Sequence, residues 1–122
     1  HRVFVGTKQA LFMRHDGGSS WSRRGGNLPF GDFTSILVNP RNGDEVFVGN
    51  AYQTSENGGG VFRTTDGGKT WARIDPKNRR LPSQRIWALA FDSQDQNVLF
   101  VGSHSAGVYV VPRMTEALSS TQ

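Results

Sequence analysis

RHDGGSSW, residues 14–21, and TTDGGKTW, residues 64–71, are two versions of one eight-residue phrase. Their tryptophans lie fifty positions apart (71 − 21), so the phrase marks an internal repeat. Working outward, VFVG (3–6) returns as VFVG (46–49) and LFVG (99–102). LFMR (11–14) returns as VFRT (61–64) and VYVV (108–111), and FTSILV (33–38) returns as RIWALAF (85–91). Most of these runs are β-branched and aromatic residues bounded by Gly, Pro, Asn or Asp, which is the signal of short strands. No window shows apolar residues at i, i+3, i+4 and i+7 over several turns, so a helical reading fails.

Labelled a to d from inner to outer, the runs follow one another as b-c-d, a-b-c-d, a-b-c, with strand d starting at Trp21 and again at Trp71. The segment 28–49 aligns without a gap on 81–102 at an offset of 53 (81 − 28). A repeat of about fifty residues built from four short strands is the pattern of a β-propeller blade. The expected fold is therefore all-β, a partial propeller of about two and a half four-stranded antiparallel blades. Its expected parts are a blade part at 1–24, a full blade at 33–74, a blade part at 85–111, and a tail at 112–122 that could hold a short helix or none. Propellers usually close with 4–8 blades, so the ring is expected to be completed by further chain or by partners. The opening residues His-Arg-Val-Phe-Val already follow a strand pattern without a starting methionine or a visible signal peptide. A processed product or a piece of something longer is expected.

The repeated phrase has a folding chemistry of its own. An Asp in a hairpin accepts hydrogen bonds from the N–H groups of its turn. Glycine supplies the positive φ that such a turn needs, and Trp71 is expected to anchor it by packing across the blade. The phrase resembles the Asp-box, or BNR repeat, Ser/Thr-x-Asp-x-Gly-x-Thr/Ser-Trp. The second copy matches through Thr64, Asp66, Gly68, Thr70 and Trp71. The first matches through Asp16, Gly18, Ser20 and Trp21 but carries Arg14 where Ser/Thr is usual. The third has lost it, with Arg113 where Asp would stand. The resemblance covers nearly the whole chain up to Val111. Families with such boxes include sialidases, xyloglucanase-type glycoside hydrolases, the sortilin ectodomain, a photosystem assembly factor and many secreted or periplasmic bacterial proteins. The resemblance implies an extracellular or periplasmic location, and a box that marks the fold and lies away from the functional face.

Function is then sought in the b–c and d–a loops. The second b–c loop, NAYQTSENGG (50–59), exceeds its counterparts and carries Tyr52, Gln53 and Glu56. Loops longer than the repeat's minimum often line binding surfaces. Arg23 and Arg24 follow the first Trp, and Lys77, Arg79, Arg80 and Arg85 surround the second d–a connection. Together they are expected to form a basic strip suited to an anionic glycan, a lipid headgroup or an acidic protein. The net charge of +4 points the same way, weakly. Nucleic acid is not an expected partner, because the strip lacks interleaved aromatics for stacking.

Catalytic readings find less support. A glycosidase needs paired carboxylates across the scissile bond, and Asp32, Asp44, Glu56, Asp75 and Asp92 are scattered in turn-like positions. A sialidase-like site would need an arginine triad and a tyrosine nucleophile; Tyr52 and Tyr109 are the two tyrosines, and Tyr109 sits at a core-like position matching Phe12 and Phe62. The chain has no cysteine, which excludes disulfides, thiolate metal sites and cysteine nucleophiles. His15 and His104 fall in turns on opposite faces, so neither a metal nor another cofactor is expected. The longest apolar run, IWALAF at 86–91, is far short of the roughly 20 residues of a membrane helix. The function expected is a non-catalytic propeller module for protein–protein interaction or assembly of a larger complex. The alternatives are a segment of a secreted Asp-box glycoside hydrolase or glycan-binding propeller and, from the sortilin resemblance, peptide capture in the channel.

Overall fold

The computed structural model describes residues 2–7, 11–15, 19–29, 31–52, 59–75, 85–95, 97–104 and 107–113. These residues form ten strands: β1 (Arg2–Gly6), β2 (Leu11–His15), β3 (Ser22–Arg23), β4 (Phe33–Asn39), β5 (Asn42–Asn50), β6 (Val61–Thr64), β7 (Ala72–Arg73), β8 (Ile86–Phe91), β9 (Val98–Ser103) and β10 (Gly107–Pro112). They pair as three antiparallel sheets in the orders β1-β2-β3, β4-β5-β6-β7 and β8-β9-β10. This is the b-c-d, a-b-c-d, a-b-c order read from the sequence, an open partial propeller. Strands d begin one residue after each Trp, and β5 runs on through Asn50, so the second b–c loop opens at Ala51. The tail beyond Arg113 lies outside the described residues.

The sheets are held together by alternation. In β5, Val46 and Val48 turn toward the first sheet, where they pack with Leu11, Phe33, Phe62 and Trp71 and against Phe4. Phe47 between them turns to the third sheet and packs with Ile86, Leu99, Val101 and Val111. Successive side chains of a strand point to opposite faces, so each blade has one apolar face for the blade before it and one for the blade after. The same positions in the outer sheets show this. Val3 is 42% exposed where its equivalent Val46 is 0%. Trp21 is 44% exposed where Trp71 is 5%. Phe100, Val108 and Val110 are exposed on the far face of the third sheet. The backbones also come close at the seams. A Cβ on Gly49 would lie 2.5 Å from Ile86 Cγ2 of the next sheet, so only a residue without a side chain fits there.

Candidate functional site

The second Asp-box builds its turn from its own side chains. Asp66 accepts from Lys69 N–H and Thr70 N–H at 3.0 Å, from Thr70 Oγ1 at 2.6 Å and from Thr64 Oγ1 at 2.7 Å. Thr64 Oγ1 in turn accepts from Gly68 N–H at 3.0 Å. Gly67 and Gly68 have φ of 74° and 96°, the left-handed region that glycine enters at no steric cost. The hydroxyls of Thr70 and Thr64, with the Thr70 and Lys69 N–H groups, hold the Asp66 carboxyl well below the usual range. These bonds commit the carboxylate to the architecture of its own turn.

Trp71 extends this turn to the preceding blade, a wider reach than packing across its own blade. Its indole N–H donates to the carbonyl of Arg24 at 2.9 Å and to that of Gly68 at 3.1 Å. Asn27 brackets its backbone, accepting from Trp71 N–H at 2.7 Å and donating to the Trp71 carbonyl at 2.9 Å. The d–a connection of one blade is thereby fastened to the Asp-box of the next.

A second cross-blade device surrounds Glu45. Its buried carboxylate accepts from Arg63 Nε and Asn39 Nδ2, both at 2.8 Å, and from the guanidinium of Arg113. The two arginines lie over the Phe47 ring, each 5.9 Å from its centre, and Arg113 is also 5.1 Å from the centre of Phe91. Burial pushes the Glu45 carboxyl up, but hydrogen bonds from Arg113, Asn39 and Arg63 and the Arg113 charge outweigh it and hold it at about 2. Arg113 stands where the third Asp-box lacks its Asp, and the position ties the third sheet to the middle one. Asp75 is likewise committed, gripped by Arg73 at 2.9 and 3.0 Å and accepting from Val61 N–H at 3.0 Å.

The residues proposed from the sequence fall only in part among those described. Tyr52 is exposed at the base of the long b–c loop, where buried Asn50 accepts from the N–H groups of Tyr52 and Asp32 at 3.0 and 2.9 Å. Gln53, Glu56, Arg79 and Arg80, with Asp16 and Gly18 of the first box, lie outside the described residues. Ser20 and Trp21 are exposed at the start of the outer strand of the first sheet. Arg23 is exposed on β3, whereas Arg24 is half-buried against the turn of the next blade. Arg85 is exposed just before β8, its carbonyl accepting from His104 N–H at 2.9 Å. Sequence reasoning missed Trp87, which is 50% exposed with its ring centre 6.0 Å from that of His104. Among the described residues no group of three His, Cys, Asp or Glu could hold a metal, and no helix is long and apolar enough to cross a membrane.

Three open sheets, an intact Asp-box and seams repeated in register set the frame for comparison with known proteins. Residues 1–111 match the family described as photosynthesis system II assembly factor YCF48. The chain belongs to this YCF48 family. Two solved structures share the fold of this YCF48-family chain. One is an ancestral GH74 enzyme, with a TM-score of 0.67 and 22% identity over 90% of this chain and 15% of its own. The other is the Niastella koreensis GH74 enzyme, with a TM-score of 0.63 and 21% identity over 96% of this chain and 18% of its own. The YCF48-family segment thus spans less than a fifth of either enzyme. No curated protein matches it.

Proposed function

We propose that this segment is a non-catalytic β-propeller module that docks protein partners in the assembly of a larger complex, within a ring completed by further blades or partners. The observation that carries this reading is the commitment of three carboxylates to contacts that hold the fold. Glu45 and Asp75 are tied up in ion pairs with arginine, and Asp66 is held by hydrogen bonds within its own turn. A glycosidase needs two carboxyl groups facing one another across a bond, and these three are engaged elsewhere. Membership of a family described as an assembly factor supports the same reading. The docking face is assigned to Tyr52, Gln53 and Glu56 of the long b–c loop with Arg23, Arg24, Arg79, Arg80 and Arg85, and the location to the periplasm or the exterior. Cell fractionation tests the location.

Reversing the charge of Arg79, Arg80 and Arg85 together is expected to weaken partner association in the intact protein at least tenfold, and unchanged association refutes this face. A second reading, part of a secreted glycoside hydrolase, is favoured by the likeness to two GH74 enzymes. Robust hydrolysis of a glycan by the intact protein would establish it and overturn the first reading.

A further inference from the structure

The turn between β4 and β5 leads through Asn39-Pro40-Arg41-Asn42-Gly43-Asp44. Asn42 is exposed although it belongs to the middle sheet, whose two faces are covered by the first and third sheets. Gly43, Asp44 and Glu45 have no partner in the register with β4 or β6, and pairing resumes at Val46. The Asn42 side chain curls back over this unpaired stretch, its Oδ1 accepting from Asp44 N–H at 3.1 Å. Its carbonyl is held beside its own backbone and polarised by the bond it accepts. Gly43 has no Cβ to obstruct an approach to its nitrogen. The Arg2 guanidinium of the first sheet lies against Gly43, where a Cβ would be 2.6 Å from Nη2. A cation that close favours negative charge developing on the Gly43 nitrogen or the Asn42 amide oxygen.

We propose that Asn42–Gly43 is a self-modification site at which the folded protein deamidates. The Gly43 nitrogen gives its proton to water and bonds to Asn42 Cγ. The side-chain nitrogen takes up a proton from water and leaves as ammonia, and a five-membered succinimide remains. Water then opens this ring at one of its two carbonyls. Attack at Cγ yields aspartate; attack at the backbone carbonyl yields isoaspartate, whose chain runs through Cβ and Cγ. The sum is one water consumed and one ammonia released.

The third sheet shows that the aspartate product fits. Asp95 is the equivalent of Asn42 (95 − 42 = 53) and accepts from Asn97 N–H at 2.9 Å in the same way. The other described asparagines lack these conditions. Asn39 precedes Pro40, which has no N–H to give up. Asn50 is fully buried, and its Oδ1 accepts from two N–H groups. Asn27 is fixed to the backbone of Trp71 at both ends of its amide. Asn97 precedes Val98, whose branched side chain crowds the approach. Deamidation at Asn42 sets a new carboxylate two residues from Asp44. Asp44 pairs with Arg2 of the first sheet, and its carbonyl accepts from Gly67 N–H of the Asp-box at 3.1 Å. The reaction therefore changes the charge at the joint between the first two sheets.

Peptide mapping of the intact protein aged near neutral pH tests this, with a free peptide spanning residues 36–48 as reference. Asn57, which also precedes a glycine, is replaced by Gln in every sample so that the signal has one source. Asn42 is expected to become a mixture of aspartate and isoaspartate at least tenfold faster than Asn27, Asn39, Asn50 or Asn97. Its rate should be at least a third of that in the free peptide and should rise with pH, because a proton leaves the Gly43 nitrogen. Gly43→Ala is expected to slow the reaction at least tenfold, and Arg2→Gln at least threefold, with circular dichroism verifying both folds. An Asn42 that stays intact, or that reacts at less than a third of the peptide rate, overturns the proposal. So does an undiminished rate in Arg2→Gln, because the fold would then add nothing to the dipeptide.

Discussion

Replacing Glu45 by Gln removes the negative charge that joins the middle and third blades while keeping the shape of the side chain. The carboxyl has an ordinary value of 4.5 and titrates at about 2 in the fold, so the folded state binds its proton less tightly than the unfolded chain. A group whose value is depressed by folding contributes stability above its unfolded value and loses it as the pH falls through the folded one. A tenfold change in proton affinity is worth about 1.4 kcal/mol, so Glu45 contributes about 3 kcal/mol near neutrality, of which about 2 kcal/mol is gone by pH 3. Only 6% of the side chain is exposed, so solvent screening takes little from this figure. Urea unfolding of wild type and Glu45→Gln at pH 7, 5, 4 and 3 measures it. The gap between the two proteins is expected to be largest at pH 7 and to shrink by about 2 kcal/mol at pH 3. Asp66 also loses its contribution in acid, but it does so in both proteins and cancels from the difference. A gap that stays constant from pH 7 to pH 3 would refute the assignment of this carboxylate as an ionised clamp.

Two further substitutions probe the Asp-box. Trp71→Ala removes a buried indole and its bonds to Arg24 and Gly68, and should cost about 3–5 kcal/mol in denaturant unfolding; a loss under about 1 kcal/mol would mean that the seam re-forms without it. Asp66→Ala deletes the acceptor of four hydrogen bonds in a turn open to water, and about 2 kcal/mol is expected by thermal or denaturant melting, with no change if the turn is held by its glycines alone.

The strands, their order and the intact box were legible in the sequence because each depends on neighbours a few positions away. The alternation Val46-Phe47-Val48 and the Thr64–Asp66–Thr70 triad are local patterns that sterics and turn chemistry dictate. What joins the blades was not legible. Asn27 meets Trp71 across 44 positions and Arg113 meets Glu45 across 68. An arginine where an Asp should stand reads as loss of a motif until Phe91 and Glu45 are found beside it. The slips in register at Thr34 of β4 and Trp87 of β8 were equally hidden, because the gapless repeat at an offset of 53 keeps the same letters whether or not the ladder slips. Among the proposed site residues, Tyr52, Arg23 and Arg85 are exposed, Arg23 on strand β3, whereas the Arg24 carbonyl accepts from Trp71 of the neighbouring blade.

The bracket that Asn27 and Arg24 place around Trp71 also has a consequence for biosynthesis. The loop that receives a blade's tryptophan is encoded before that blade, so on the ribosome the ledge emerges first and the residue that docks on it follows. N-terminal parts fold first during synthesis, so at this seam the first blade is in place to receive the Asp-box of the second. A joint made in that order gives the assembly of these two blades a direction.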